Sequence, residues 1–221
     1  DVQISFPEII IIENPDNWGC AKAVNQGLKR CESKYCLILN PDTIVNQDTF
    51  KGLIHFMESN PEVGLAGPQV ISPDNIPELS FGHYPNVWSE YIQRKRYFQM
   101  KRKEPDILDW INHQTKEPKE VDWVSGVCMI MRRDIIQRAG YLDENYFMYY
   151  EDIDYCHTIK NSGWKIYYYP TVIIEHARGT SMKQNQDGVM EEYRKSQKYY
   201  YQKYCGPLSR LALSLRNIVR D

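Results

Sequence analysis

The sequence predicts an α/β fold in which helices flank a central sheet. Two short runs, residues 8–14 ("EIIIIEN") and 35–40 ("YCLILN"), are continuously apolar, as expected for strands that are covered on both faces. Between them, apolar residues follow the spacing of one helical face: Ala21, Val24, Leu28 and Cys31. This part of the chain therefore predicts a strand, a helix and a second strand, the unit from which parallel sheets are built.

The elements that follow are less regular. A helix is predicted to begin after Asp48, a plausible N-cap, and to stop at Asn60, and a third strand lies near residues 63–67. Residues 72–120 contain five prolines and little periodicity. We interpret this stretch as a variable insertion that contains one helix, at residues 86–99.

The remaining sequence returns to alternating strands and helices. The predicted elements are a strand at 123–133, a short helix at 133–140, a helix at 151–163 that stops at Gly163, and a strand at 165–176. From Asp187 onward the pattern is helical. We therefore expect a domain of residues 1–184, followed by a C-terminal helical extension of residues 185–221.

Composition and charge limit the compartment and the partners. The 27 basic and 29 acidic residues give a net charge of -2, so the total charge does not suggest a nucleic-acid partner. The six cysteines include no C-x-x-C pair and several lie in apolar runs, which predicts a reduced, cytosolic chain. No apolar run approaches the roughly 18 residues of a membrane span, and no signal-peptide pattern opens the chain.

Polar residues at two predicted strand ends suggest a metal site. Asn40 and Asp42 follow the strand at 35–40, and His176 closes the strand at 165–176. Open α/β sheets bind ligands beside such strand ends, and a carboxylate with an imidazole suits Mn²⁺ somewhat better than Mg²⁺. The alternatives are that "NPDT" is only a turn and that His176 is a structural residue.

An acidic and aromatic segment marks a candidate catalytic site. It holds five carboxylates, with no Lys or Arg between Arg138 and Lys160 to neutralise them: Asp143, Glu144, Glu151, Asp152 and Asp154. Neighbouring aromatic rings disfavour the charged form and raise carboxylate pKa values, which is what a general base for a hydroxyl group requires. The start of a helix stabilises one or two acids without any chemistry, but that does not account for all five.

Seven blocks of sequence together resemble glycosyltransferase family 2, especially its rhamnosyltransferase-like members. They follow one another from about Ile9 to Ser181: "NWGCAKAVNQGL", "LILNPDT", "NPEVGLAGPQV", "VDWVSGVCMIMRRD", "GYLDENYFMYYEDIDYC", "SGWKIYYYP" and "EHARGTS". The resemblance implies a GT-A fold, with a doubly wound mixed sheet flanked by helices. It also implies inverting transfer of a sugar from a nucleoside-diphosphate donor to an acceptor hydroxyl group.

The resemblance further implies roles for individual residues. For the metal, Asp42 takes the place of the metal-binding Asp, with Asn40 in the place of a second acid, and His176 matches the distal His that completes the site. For catalysis, Asp152 matches the base, while Glu151 and Asp154 would position it or the acceptor. Three residues match the segment that holds the nucleotide of a dTDP- or UDP-sugar: Asn17, Gly19 and Asn25.

The family's usual first strands, and the loop that cradles the nucleobase, have no counterpart in this sequence. Residues 1–14 look like the segment after that loop, and the chain does not begin with Met. We therefore expect an N-terminally incomplete domain that belongs to a longer enzyme and has an exposed sheet edge. A second hypothesis is a non-catalytic carbohydrate-binding or scaffold remnant, although a remnant needs neither a base nor a cation.

Two basic features bear on the acceptor and the location. Residues 94–103 ("RKRYFQMKRK") hold six positive side chains, which suits a lipid-linked acceptor, an anionic membrane surface or a nucleic acid, or is only a solvated helix face. The helix from Pro207 is amphipathic and basic, so it could rest on a membrane, pack on the domain or form a dimer contact. We expect a glycan or lipid-linked acceptor, no nucleic acid, and a cytoplasmic location with peripheral contact at the inner face of the membrane as an option. The oligomeric state stays open.

Overall fold

The computed structural model describes residues 2–102, 104–177 and 186–218. The helices are α1 (Val2–Ser5), α2 (Cys20–Arg30), α3 (Gln47–Ser59), α4 (Val87–Lys101), α5 (Pro105–Gln114), α6 (Asp134–Ala139), α7 (Glu151–Asn161), α8 (Gln186–Tyr204) and α9 (Pro207–Ile218). The strands are β1 (Tyr35–Leu39), β2 (Thr43–Ile44), β3 (Val63–Ile71), β4 (Phe81–Gly82), β5 (Lys119–Glu120), β6 (Trp123–Val124), β7 (Cys128–Arg132) and β8 (Lys165–His176). This mixture of helices and strands confirms the predicted α/β class.

The larger sheet is mixed and has the strand order β1-β7-β3-β8-β2, with β5 also paired to β8. The long strands β3 and β8 run parallel, whereas β7 runs antiparallel to both β1 and β3. Short β2 pairs antiparallel with the end of β8. Strands β4 and β6 form a separate two-stranded sheet.

Apolar residues pack on both faces of the larger sheet. One cluster holds β3 Leu65 together with side chains from α2, α6 and α7. The other holds its neighbour Ala66 together with Leu53 and Met57 of α3. Successive residues of a strand point to opposite faces, so the sheet separates two helical layers, as a doubly wound fold requires.

The C-terminal helices pack against the acidic segment rather than standing apart. A third apolar cluster joins Tyr200 and Tyr201 of α8 and Leu213 of α9 to Tyr146 and Tyr150. The division into residues 1–184 and 185–221 stays a prediction, and its boundary lies outside the described residues.

The predicted strand at residues 8–14 is wrong. These residues form no strand, and the side chain of Ile10 is 75% exposed. An extended segment needs a neighbouring strand for its backbone hydrogen bonds, and none of the described strands pairs with this one. The apolar run was recognised correctly, but the pairing that would make it a strand is not formed within the described residues.

Three further features of the secondary structure differ from the prediction. Helix α3 is capped by Asn46, whose side chain accepts the backbone N–H groups of Asp48 and Thr49 at 3.0 and 2.9 Å, so Asp48 lies inside the first turn. The predicted strand at 123–133 is two strands, β6 and β7, in different sheets. Helix α5 was not predicted, because the prolines around it hid its short apolar pattern.

The expectation that all cysteines are reduced is also wrong for one pair. Cys31, at the end of α2, and Cys36, in β1, form a disulfide, while the other four cysteines are free. Sequence reasoning missed this bond because both residues lie in apolar patterns, where cysteine was interpreted as a small hydrophobic residue. Among the described helices, none has the length and apolarity needed to cross a membrane.

Candidate functional site

The start of α7 places Asp152 at a cavity of about 250 Å³. One carboxylate oxygen of Asp152 accepts the backbone N–H of Gly126 at 2.8 Å, and the other accepts the N–H of Ile153 at 2.8 Å. Gly126 lies in the turn between β6 and β7, so the connection between the two sheets orients the side chain of Asp152. Burial raises the pKa of Asp152 although these hydrogen bonds favour its charged form.

Glu151 lies behind Asp152 and is more deeply buried. Its Oε2 atom has no hydrogen-bond partner among the described residues, and a hydrogen bond links its carboxyl group to the thiol of Cys20. Burial first, and the negative charge of Asp152 second, raise the pKa of Glu151 above the ordinary carboxyl range. Burial and Glu151 likewise raise the pKa of the Cys20 thiol. The pair of neighbouring carboxyls therefore holds protons more readily than exposed acids do.

Two strained tyrosines precede this pair. Tyr149 and Tyr150 have φ angles of 66° and 65°, a left-handed conformation that non-glycine residues rarely adopt. Such residues cost about 1–3 kcal/mol each and persist only where surrounding contacts hold them. Here the hydroxyl of Tyr150 donates to Glu90 of α4, and both tyrosine rings contact Tyr193 of α8. The strained turn redirects the chain so that α7 begins at the cavity.

The structure brings Asp42 and His176 together, as the strand ends predicted. Strand β2 pairs Thr43 with His176, and the His176 Nε2 atom lies 3.2 Å from Asp42 Oδ1. On the other side of the ring, Nδ1 is buried, has no hydrogen-bond partner among the described residues, and lies 3.9 Å from Glu78 Oε2. Glu78 also lines the cavity that holds Asp152, so the two parts of the candidate site adjoin.

Asn40 holds the turn between β1 and β2. Its backbone N–H donates to the carbonyl of Val127 at 2.9 Å, and its own carbonyl accepts the hydroxyl of Thr43 at 2.7 Å. The "NPDT" segment is thus a turn, and that turn also presents Asp42 to His176. The two interpretations of this motif are compatible, and a contact between Asn40 and a donor stays a prediction.

The predicted nucleotide-holding residues have local structural roles. Asn17 accepts the N–H of Gly19 at 3.0 Å, which shapes the entry to α2. Gly19 has a φ of 82°, and a Cβ atom there would lie 2.8 Å from Cδ2 of Phe147, so only glycine fits. Buried Asn25 bonds the backbone N–H and carbonyl of Leu142 and the carboxylate of Glu144. These bonds occupy its side chain, so the predicted donor contact of Asn25 has no support from this geometry.

The predicted surplus of unpaired charge is wrong for three of the five acids. Asp143 and Asp154 both pair with Lys203 of α8, at 2.9 and 2.8 Å, and Glu144 lies 3.9 Å from Lys29 of α2. Asp154 also accepts the hydroxyl of Tyr146 at 3.1 Å and does not line the cavity. Among the described residues, Glu151 and Asp152 form no ion pair, so the uncompensated charge is concentrated on these two.

Sequence reasoning missed four residues that border the site. Glu78 and Glu90 lay in the stretch interpreted as a variable insertion, yet both are buried, at 5% and 8% exposure. Cys20 and Gly126 lie inside blocks that were recognised, but no role was assigned to them. An acid amid apolar neighbours, as Glu78 is in "IPELSF", was the one available signal.

Comparison with known sequences assigns the family. The sequence model described as glycosyltransferase like family 2 matches residues 2–191. The chain belongs to glycosyltransferase family 2. The resemblance carried by the seven sequence blocks is thereby confirmed.

Family 2 relatives with curated names include rhamnosyltransferases. The N-acetylglucosaminyl-diphospho-decaprenol L-rhamnosyltransferase of Mycobacterium tuberculosis is 25% identical over 197 residues, which cover 80% of this chain and 61% of the relative. Rhamnosyltransferase WbbL of Escherichia coli is 29% identical over 156 residues, covering 66% and 53%. The low-salt glycan biosynthesis hexosyltransferase Agl10 of Haloferax volcanii is 24% identical, covering 73% and 50%. The chain thus spans between about half and three fifths of the length of these relatives.

A solved structure confirms the fold of this family 2 chain. GalNAc-T7, crystallised with UDP, GalNAc and Mn²⁺, matches with a TM-score of 0.60 over 90% of this chain and 39% of the other. The sequence identity is 15%, so the likeness concerns the fold alone. The predicted GT-A type of sheet is confirmed by it.

Proposed function

We propose that the protein transfers a sugar from a nucleoside-diphosphate donor to a hydroxyl group of a glycan or lipid-linked acceptor. The donor is a dTDP- or UDP-sugar, and the transfer inverts the anomeric carbon. The observation that carries the proposal is the position of Asp152, at the start of α7, against a cavity and beside a second unpaired carboxyl group. Family membership and the rhamnosyl- and hexosyltransferase names of the relatives support the reaction class.

In this proposal Asp152 is the general base. Its carboxylate takes the proton of the acceptor hydroxyl while the acceptor oxygen bonds to the anomeric carbon and the bond to the diphosphate breaks. The electron pair of that bond leaves with the nucleoside diphosphate, and a single displacement inverts the centre. The raised pKa of Asp152 favours this role, because a base is most effective when its pKa approaches the working pH.

Asp42 and His176 would hold a divalent cation. The donor set of one carboxylate and one imidazole fits Mn²⁺ or Mg²⁺, with Mn²⁺ preferred, and the partnerless Nδ1 atom leaves the ring free to choose its tautomer. Among the described residues, no three His, Cys, Asp or Glu side chains meet as a complete metal site, so diphosphate oxygens and water would supply the other ligands. When bound, the cation would stabilise negative charge on the departing diphosphate as a Lewis acid.

The remaining residues would orient the two substrates. Asn17 and Gly19, which lead into α2, would help to hold the nucleotide of the donor, as their match to the family segment implies. Glu151 would position Asp152, because its own side chain is buried and bonded to the Cys20 thiol at the start of α2. Tyr149 and Tyr193 line the cavity and would shield the reaction from water or stack on a sugar ring. We place the reaction at the cytoplasmic face of a membrane, where a lipid-linked acceptor is anchored.

Donor binding and donor hydrolysis separate these roles. The screen uses UDP- and dTDP-sugars with Mn²⁺ on the wild type, Asp42→Ala and Asp152→Asn. We expect binding to need Asp42 and the cation, and turnover alone to need Asp152, with a loss of about 10²- to 10⁴-fold. Asp48→Ala and Asp134→Asn are matched controls, because both are exposed acids in the first turns of other helices.

Two results would contradict the proposal. Metal-dependent donor binding that survives Asp42→Ala would remove Asp42 from the metal site. Turnover that survives Asp152→Asn would remove Asp152 as the base and leave Glu151 as the carboxyl group to test next.

A further inference from the structure

Helix α4 has two faces with different environments. On one side, Glu90 and Gln93 line the cavity of Asp152, and Glu90 bonds Tyr150 and Gln197. On the opposite side, Trp88 is 77% exposed and Tyr91 is 59% exposed. The helix that forms a wall of the candidate site therefore displays large apolar side chains to solvent on its outer side.

The outer side of α4 is a regular stripe of aromatic and basic residues. Its members follow the spacing i, i+3, i+7, i+10 and i+14 of one helical face: Trp88, Tyr91, Lys95, Phe98 and Arg102. Ile92 widens the stripe, and the guanidinium of Arg94 lies 5.5 Å from the centre of the Phe98 ring. We call these seven residues the α4 stripe.

Helix α9, which contacts α4, carries a second exposed apolar stripe. Leu208, Leu211 and Leu215 are 82%, 58% and 57% exposed, whereas Leu213, on the opposite side, is buried. Leu213 belongs to the apolar cluster against which Val87 of α4 packs, so the two helices contact each other there. The described part of α9 contains no acidic residue.

The charge of this surface is one-sided. Among residues 87–102, Glu90 is the one acid, and it is buried in the inner side of α4. Arg94, Lys95 and Arg102 lie within or beside the aromatic residues. Arg102 is 75% exposed and lies 3.8 Å from Glu104, a long contact that leaves its guanidinium accessible, so the stripe is apolar and positive at once. Cores of protein–protein interfaces are depleted in lysine, whereas an interfacial helix combines aromatic side chains with Lys and Arg that reach towards anionic headgroups.

We infer that the α4 stripe, extended by the three leucines of α9, docks on the surface of an anionic phospholipid bilayer. Trp88 and Tyr91 insert at the headgroup level, where amphipathic rings are most stable, and Lys95 and Arg102 contact lipid phosphates. Because Glu90 and Gln93 are on the opposite side of the same helix, docking holds the cavity of Asp152 close to the bilayer. The inference deepens the proposed function, since it identifies the surface from which a lipid-linked acceptor would approach the site.

Vesicle sedimentation with the 221-residue chain, without donor or acceptor, tests the inference apart from catalysis. We expect binding to vesicles of phosphatidylcholine and phosphatidylglycerol in equal amounts, weaker binding to phosphatidylcholine alone, and a decrease with added salt. Lys95→Ser with Arg102→Ser should lower the affinity about 25-fold, from about fivefold for each basic side chain. Trp88→Ser with Tyr91→Ser should lower it by at least about tenfold.

Matched controls lie on α3. Phe50 and Ile54 are 40% and 43% exposed at the spacing i, i+4, and Lys51 beside them is an exposed base. Phe50→Ser with Ile54→Ser, and Lys51→Ser, should leave vesicle binding unchanged. All the substituted side chains are exposed, so unchanged thermal unfolding will confirm that each variant folds.

Three results would overturn the inference. The first is no binding to the anionic vesicles at low salt, and the second is binding that the stripe variants leave unchanged. The third is self-association of the wild type that the Trp88 and Tyr91 substitutions abolish, which would make the surface a contact between copies of the chain. A failure of sugar transfer with vesicle binding intact would count against the proposed function and not against the docking surface.

Discussion

The prediction that most sharply separates structure from catalysis concerns Asp154. Its carboxylate is 2% exposed, accepts the hydroxyl of Tyr146 at 3.1 Å and pairs with Lys203 at 2.8 Å. Asp154→Asn removes the charge but keeps the size and one acceptor oxygen. We expect this substitution to loosen the attachment of α8 to α7 while the base at Asp152 stays in place.

The size of the effect follows from the surroundings of Lys203. Breaking a buried ion pair costs about 3–5 kcal/mol when the remaining charge stays buried. Lys203 is 33% exposed and keeps Asp143 at 2.9 Å, so part of its charge remains compensated. We therefore expect the free energy of unfolding to fall by about 2 kcal/mol, which lowers Tm by roughly 4–8 °C in a chain of this length.

Thermal unfolding and sugar transfer, measured on the same samples, test this reasoning. Asp154→Asn should lower Tm and leave kcat within about threefold, because the change is outside the cavity. Asp152→Asn should lower kcat and leave Tm nearly unchanged, because losing a charge that burial disfavours offsets losing one of the two backbone N–H contacts. If Asp154→Asn abolishes transfer at an unchanged Tm, Asp154 acts on the substrate and its pairing with Lys203 is not its main role.

Three further predictions concern the neighbourhood of the site. Gly19→Ala should destabilise the protein by about 2 kcal/mol or more, because the new Cβ atom would meet Phe147 and φ is positive there. Gly27→Ala, inside α2 with nothing within 4 Å, should be neutral or stabilise the protein by up to about 1 kcal/mol. Urea unfolding measures the free energy of unfolding of both variants. Since burial raises the pKa of Glu151, the wild type should lose stability as the pH rises above the ordinary glutamate pKa of about 4.3. Glu151→Gln should remove this loss, so it should stabilise the protein more at pH 8 than at pH 4. The difference should be about 1.4 kcal/mol for each unit by which the pKa is raised. Equal effects at both values of pH would contradict it. Alkylation in denaturant without reductant, which exposes the buried Cys128 and Cys156, followed by mass spectrometry, should modify four of the six cysteines. Six modified thiols would show that Cys31 and Cys36 are reduced.

The proximity of Asp42 and His176 could be predicted from the sequence because strand ends are local features. Asp42 and His176 are far apart along the chain, yet each directly follows or closes an apolar run. Strands of one sheet end at a shared edge, so two residues at strand ends are expected to lie close together. The register that pairs Thr43 with His176 completes this arrangement.

The compensation of the acidic segment could not be predicted in this way. Lys203, which neutralises Asp154, lies 49 residues further along the chain, in a helix whose packing the sequence does not specify. Glu78 was missed for a related reason: it lies in an irregular segment, and only the folded chain brings it to His176. Local patterns identified the strand ends and α7, whereas contacts between distant segments decided which charges remain uncompensated.

The pairing of charges divides the five acids of the acidic segment into two groups. Lysines from α8 and α2 lie near three of the five acids, and Lys203 connects Asp143 and Asp154 to α8. The two remaining carboxyls, Glu151 and Asp152, are at the helix N-terminus, where the dipole favours negative charge, and in a buried place, where desolvation disfavours it. These opposing effects leave the carboxyls able to gain and lose a proton. The strain at Tyr149 and Tyr150 is therefore best understood as the cost of holding Asp152 at the cavity wall rather than in solvent.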